Sequence, residues 1–158
     1  KKDSTMNKLM PLIVSSVLMI GAVSCENTAK TSTDAPNDTN QPAVVPNTQS
    51  AQKTQNDATS DTRKAQIESD IRAREQRNNM TGGDTIRNDK DLQSEVRGKL
   101  EANIPASNLT VVAENGAVTV SGTVPTQAQL TKIKPLAMEI KGVNSIINKV
   151  AVAPAKSN

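Results

Sequence analysis

Leu109-Thr110-Val111-Val112-Ala113, Glu114-Asn115-Gly116 and Ala117-Val118-Thr119-Val120-Ser121-Gly122 form the stretch from which the fold is read. Two runs rich in β-branched residues flank an Asn-Gly pair. That pair tolerates the positive φ angles of a tight turn, so the pattern predicts a β-hairpin. Side chains alternate across a strand. Leu109, Val111 and Ala113 therefore share one face of the first strand, and Val118 and Val120 share one face of the second. Gly122 lies in line with that pair, at a place where a helix backbone is expected to approach closely.

The neighbouring segments supply what would cover this hairpin. Upstream, Asn88 can cap a helix with Asp89 and Asp91 in its first turn, where the helix dipole favours anions. Leu92, Val96 and Leu100 recur every four residues on one face, and Pro105 stops the helix. Gly98 inside it costs about 1 kcal/mol relative to Ala. Downstream, Thr126-Gln127-Ala128-Gln129 reads as a capping box. Leu130, Ile133, Ala137 and Ile140 form the apolar stripe of the helix that follows. Pro135 predicts a kink in it, and Gly142 is placed to end it. Ile146 to Val152 reads as a third strand, with Ile146, Val150 and Val152 on one face and Asn148 interrupting it. The predicted order is α-β-β-α-β, an α+β two-layer sandwich with two helices on one face of a three-stranded mixed sheet. This unit spans 85–153, with a disordered tail at 154–158. A core of about 70 residues made only of aliphatic side chains predicts modest stability.

Upstream of 85 the chain changes character. Residues 61–84 read as a polar helix, fraying by Asn78 and followed by a Gly82-Gly83 linker. Lys64/Glu68, Glu68/Arg72 and Asp70/Arg74 sit at pairing distance along it, and Ile67 and Ile71 are its only apolar pair. Glu26–Ser60 contains no Leu, Ile, Met or aromatic residue, so 26–60 is expected to be a disordered tether. Met6 reads as the true start, with Lys1–Thr5 upstream of it. Lys8, then the apolar Leu9–Val23, then small residues make the three-part pattern of a secretory signal peptide over 1–25. A bilayer-spanning helix needs about 20 apolar residues, more than this run provides.

Composition narrows function further. The chain of 158 residues has no His, Phe, Trp or Tyr and one Cys. Ser-His-Asp and Cys-His catalysis cannot be built without His, and one Cys cannot make a structural zinc site or an internal disulfide. No catalytic residue, metal site or cofactor is expected. Without aromatic rings there is nothing on which to stack nucleic-acid bases. The net charge of +3 is spread thinly: three Lys against one Asp in 1–25, seven basic against nine acidic residues in 26–85, nine against six in 86–158. No nucleic-acid partner is expected. Arg97, Lys99, Lys132, Lys134 and Lys141 are the candidate contacts with an anionic membrane surface. Asp84, Asp89, Asp91 and Glu95 are a weak cation-site candidate, for which helix capping is the simpler reading of the Asp89 and Asp91 positions.

Two resemblances add to this. Ala22-Val23-Ser24-Cys25 resembles the lipobox of bacterial lipoproteins, departing from it at Ala22, where Leu is usual. The resemblance implies that Cys25 carries a covalent lipid and becomes the mature N-terminus. With Glu26 rather than Asp next, it implies the outer membrane rather than the inner, facing the periplasm. Residues 88–152 resemble the BON domain, the osmotic-stress and nodulation module of bacterial envelopes. The likeness rests on the element order, the Asn115-Gly116 turn, Val118-x-Val120-x-Gly122, and Gly142-Val143 followed by Ile146-x-Asn148-x-Val150. It implies attachment to phospholipid membranes or to envelope and outer-membrane proteins, without catalysis. The single copy resembles lipoproteins of this type from cyanobacteria. The expected function is a lipid-anchored envelope module supporting integrity under osmotic stress. The alternatives are a chaperone-like factor for outer-membrane proteins and a small-ion sensor of the kind found among potassium-binding relatives.

Overall fold

The computed structural model describes residues 28–81 and 87–157. The expected signal peptide, Cys25 and the Gly82-Gly83 linker lie outside the described residues.

The hairpin forms as its residues dictate. Strands β2 (Asn108–Glu114) and β3 (Ala117–Val124) pair antiparallel, with Val111 opposite Val120 and Ala113 opposite Val118. Asn115 and Gly116 both take positive φ, 51° and 79°, which matches the right-handed twist of the strands they join. Strand β4 (Ser145–Val152) then lies parallel to β3, reached through helix α4 (Gln127–Met138). Helix α3 (Asp89–Asn103) precedes the hairpin. Leu92, Val96 and Leu100 of α3, Ile133 and Ala137 of α4, and the inward residues of β2 and β3 close into one core. Both helices thus cover the same face of the sheet. Each fully buried aliphatic side chain contributes about 1.5–3 kcal/mol.

The sheet has four strands rather than the expected three. Strand β1 (Ala29–Lys30) adds antiparallel to the outer edge of β2, with Ala29 opposite Val111. It comes from the segment expected to be a disordered tether. The same segment carries helix α1 (Thr48–Thr59), capped by Asn47, whose side chain accepts from Ser50 N at 2.8 Å. Residues 31–46 pass over the sheet face opposite the helices. Helix α2 (Asp61–Thr81) follows and lies against α3 rather than in solvent. Ile67 is buried at this contact. Gly98 makes room for it: a Cβ there would sit 3.1 Å from Ile67 Cγ2. The glycine that reads as a weakness of α3 is the seat of α2. The order seen at 28–60 has a physical reason that the tether argument lacked. Residues 31–46 are held by hydrogen bonds to the sheet together with the burial of small groups such as Ala35.

Three local expectations are corrected. Gly122 has φ 118°, and the backbone crowding it belongs to β2, not to a helix: a Cβ there would lie 2.0 Å from Asn108 O. Helix α4 ends at Met138, before Gly142, and Pro135 falls in its last turn, where it removes a single i→i−4 bond with little helix beyond it to disturb. The tail is not free either. Thr48 N donates to Lys156 O and Lys156 N donates to Pro46 O, each at 3.0 Å.

Candidate membrane-facing surface

The five basic residues singled out from sequence do not form one patch. Arg97 is largely withdrawn into the α2–α3 contact. Its Nη1 lies 2.7 Å from Glu101 Oε2, one helical turn on, and its side chain is 13% exposed. Arg63 of α2 grips the same carboxylate from the other side, with Nε 2.5 Å from Oε1 and Nη2 3.0 Å from Oε2. This hydrogen bond to Glu101 holds the Arg63 guanidinium above its ordinary pKa. Lys99 is spent on a bridge between the two core helices: its Nζ is 2.6 Å from Glu139 Oε2, at the end of α4.

Lys132, Lys134 and Lys141 stand elsewhere, on the outside of the molecule. Ile133 and Ala137 turn one side of α4 into the core. Lys132 and Lys134 are two positions apart, about 200° around the axis, so they leave from opposite flanks of the outward side. Between them lie Ala128, Thr131, Pro135 and Met138, all exposed, Met138 by 44%. Lys141 follows in the turn after the helix. A weakly apolar centre with lysines on its flanks can settle at a headgroup boundary while the ammonium groups stay in water. No helix among the described residues is long and apolar enough to cross a membrane.

Asn115, Gly116, Gly142 and Val143 gather at the end of the sheet where the hairpin turns. Asp89 accepts from Asn115 N at 3.0 Å and Gly116 N at 3.3 Å, pinning the hairpin turn onto the start of α3. Gly116 O accepts from Asn144 N at 2.8 Å. Gly142, φ 92°, packs on Arg87 and Leu92, and Val143 is buried beside the core. Among the described residues, the carboxylates of the candidate cation site have protein donors. Asp91 is held by Arg74 at 2.5 Å and Arg77 at 3.1 Å, and Glu95 by Arg87 at 2.8 Å. Asp84 lies outside the described residues. Among the described residues no cluster of three or more His, Cys, Asp or Glu is placed to hold a metal ion.

Glu95 and Arg87 are 2% and 3% exposed. Burial raises the Glu95 pKa above its ordinary value, and Arg87 only partly counters it. One oxygen of Glu95, Oε1, has no hydrogen-bond partner. Sequence reading missed both this pair and the Arg63–Glu101–Arg97 cluster. Arg63 and Glu101 lie 38 residues apart on different helices, which no spacing rule sees, and Arg87 lies just outside α3, eight residues before Glu95; the Arg97–Glu101 pair, at i,i+4 on α3, was open to a helix-spacing reading.

A small α+β module, with two helices on one face of a mixed sheet and an N-terminal strap on the other, is the class this geometry defines. Residues 88–154 match the family model of the BON domain. BON domains are associated with phospholipid binding and osmotic stress. No curated protein matches the chain.

Proposed function

We propose that this protein is a lipid-anchored, non-catalytic module of the cell envelope, whose BON domain rests on phospholipid surfaces and supports the envelope under osmotic stress. Anchoring falls to a lipid on Cys25, at the outer membrane and facing the periplasm. Two acyl chains, at about 0.8 kcal/mol for each buried CH₂, would make that attachment long-lived. The domain adds weak contacts of its own. The observation that carries this reading is the BON match over 88–154, and the outward side of α4 is the surface that suits it. Near an anionic leaflet each of Lys132, Lys134 and Lys141 would add about 1 kcal/mol.

Co-sedimentation with vesicles tests the surface. The purified chain, unlipidated, is spun with phosphatidylglycerol-containing and with pure phosphatidylcholine vesicles at low and high salt. Binding is expected to anionic vesicles only, to weaken with salt, and to fall when Lys132, Lys134 and Lys141 are changed together to Ala. Equal recovery with both vesicle types, or no effect of the triple change, removes the α4 assignment. The anchor is tested apart: a Cys25→Ala chain is expected to leave the membrane fraction on high-salt washing.

A further inference from the structure

The sheet face opposite the helices is built in an unusual way for a face turned toward water. Its outward residues at one end are Asn108, Thr110, Ser121 and Thr123, which are short, polar and at most 3% exposed. Thr110 stands opposite Ser121 and Asn108 opposite Thr123, so the four form a compact block. They are buried beneath residues 31–46, and they hold that segment by its main chain. Asn108 Nδ2 donates to Val44 O at 2.9 Å and to Asp34 O at 3.3 Å. Thr123 Oγ1 donates to Val44 O at 3.2 Å, and Thr110 Oγ1 donates to Pro36 O. Ser32 Oγ donates back to Asn108 Oδ1.

These four bonds all run from sheet side chains to backbone carbonyls. A block of donors of this kind suits a chain rich in acceptors and poor in N–H groups. Proline supplies that, since it keeps its carbonyl and lacks the amide hydrogen. The segment seated there carries Pro36, Pro42 and Pro46, and Ala35 and Pro36 are buried against the sheet. The block also holds one donor more than the strap uses. Ser121 Oγ is buried and has no partner. A buried hydroxyl without a hydrogen bond is destabilising, so the strap is an imperfect occupant.

We propose that this face is a docking groove for an extended, proline-bearing polypeptide segment, which it reads through main-chain carbonyls, and that residues 31–47 occupy it in cis as a replaceable strap. An incoming segment of the same chemistry would displace the strap and release β1 from the edge of β2. This assignment is independent of the α4 surface.

The probe is a labelled synthetic peptide of residues 31–47, followed by anisotropy. It is added to the full chain and to an Ala35→Arg chain, in which the buried methyl is replaced by a side chain the seat cannot hold. Saturable binding is expected to the variant, about tenfold tighter or more than to the parent, whose own strap keeps the groove closed. Adding Thr110→Val and Thr123→Val is expected to abolish it. A folded Ala35→Arg chain that does not bind, or binding indifferent to Thr110 and Thr123, overturns the proposal. Hydrogen exchange on the unaltered chain gives a second test that needs no variant. The Thr31 amide, bonded to Leu109 O at 2.9 Å, should exchange faster than the amides joining β2 and β3. Exchange in step with them would make the strap part of the core and overturn the proposal equally.

Discussion

The contact between α2 and α3 can be measured through Gly98. In an exposed helix, Gly98→Ala would gain about 1 kcal/mol from propensity alone. Here the new methyl would lie 3.1 Å from Ile67 Cγ2, against about 3.5–4.0 Å for a comfortable carbon contact. Ile67 is β-branched, with a stiff χ1 inside a helix, so its Cγ2 cannot swing aside freely. Forcing it off its rotamer costs about 0.5–1.5 kcal/mol. The two effects nearly cancel, and Gly98→Ala should leave stability close to unchanged. Ile67→Ala alone should destabilise, because Ile67 is 4% exposed. In that background the obstruction is gone, and Gly98→Ala should recover its full gain. The expected coupling is therefore about 1 kcal/mol in a double-mutant cycle. For a domain of this size that is about 4–8 °C in Tm. With no Trp or Tyr to report fluorescence, the assay is urea and thermal unfolding followed by circular dichroism. If Gly98→Ala stabilises equally in both backgrounds, α2 does not rest on α3 as described.

Gly122→Ala should be severely destabilising, by more than about 3 kcal/mol, since it combines a positive φ with a Cβ 2.0 Å from a backbone oxygen; chemical denaturation measures it, and a loss under about 1 kcal/mol would contradict the register. Glu95→Gln should be better tolerated at neutral than at acid pH, because burial disfavours the Glu95 carboxylate by more than its pairing with Arg87 restores. Because the Glu95 pKa is raised in the folded state, its contribution is fullest below its ordinary value and declines as pH rises toward the raised one. The advantage of the parent over Glu95→Gln should thus shrink between acid and neutral pH, and an advantage that grows with pH would show pairing outweighing burial. Asn148→Val should promote self-association, read by analytical ultracentrifugation, because Asn148 Oδ1 accepts from Val150 N at 3.0 Å and so occupies a donor of the β4 edge; a variant that stays as monomeric as its parent would deny the side chain that role.

The hairpin, both core helices and the third strand of the BON unit were legible because each announces itself locally. Asn115-Gly116 demands a turn, Leu92, Val96 and Leu100 demand a buried helix face, and Val118 and Val120 demand a buried strand face. What escaped is held by interactions without a local signature. Residues 28–60 offer only small apolar groups such as Ala35 and Ala58, so the seating of 31–46 leans on donors contributed by Asn108, Thr110 and Thr123 some seventy residues away. One signal was available. A solvated sheet face normally carries long charged side chains, and four short polar residues at 108, 110, 121 and 123 point to a face that is covered. The α4 surface was half legible. Lys132, Lys134 and Lys141 are exposed, whereas Arg97 is drawn off by Glu101, its i,i+4 neighbour on the same helix, and Lys99 by Glu139, whose proximity depends on how the helices pack.

The two edges of the sheet are managed by different means, and the difference bears on the membrane tether proposed for this protein. At β4 the protection is built into the strand, through Asn148. At β2 it is lent by β1, a strand of two residues at the end of a strap held mainly by hydrogen bonds to the sheet face. Bonds of that kind exchange partners with water at small net cost, about 0.5–1.5 kcal/mol each. Apolar burial on the other face has no such substitute. Loosening should therefore begin at β1 and the strap while the core stays closed, and it would uncover a strand edge and a donor-lined groove together. Tethering through Cys25 would crowd copies onto one surface and raise the effective concentration of every neighbouring proline-bearing segment. A weak strap is then an advantage: held more tightly, it would shut the groove to any other chain.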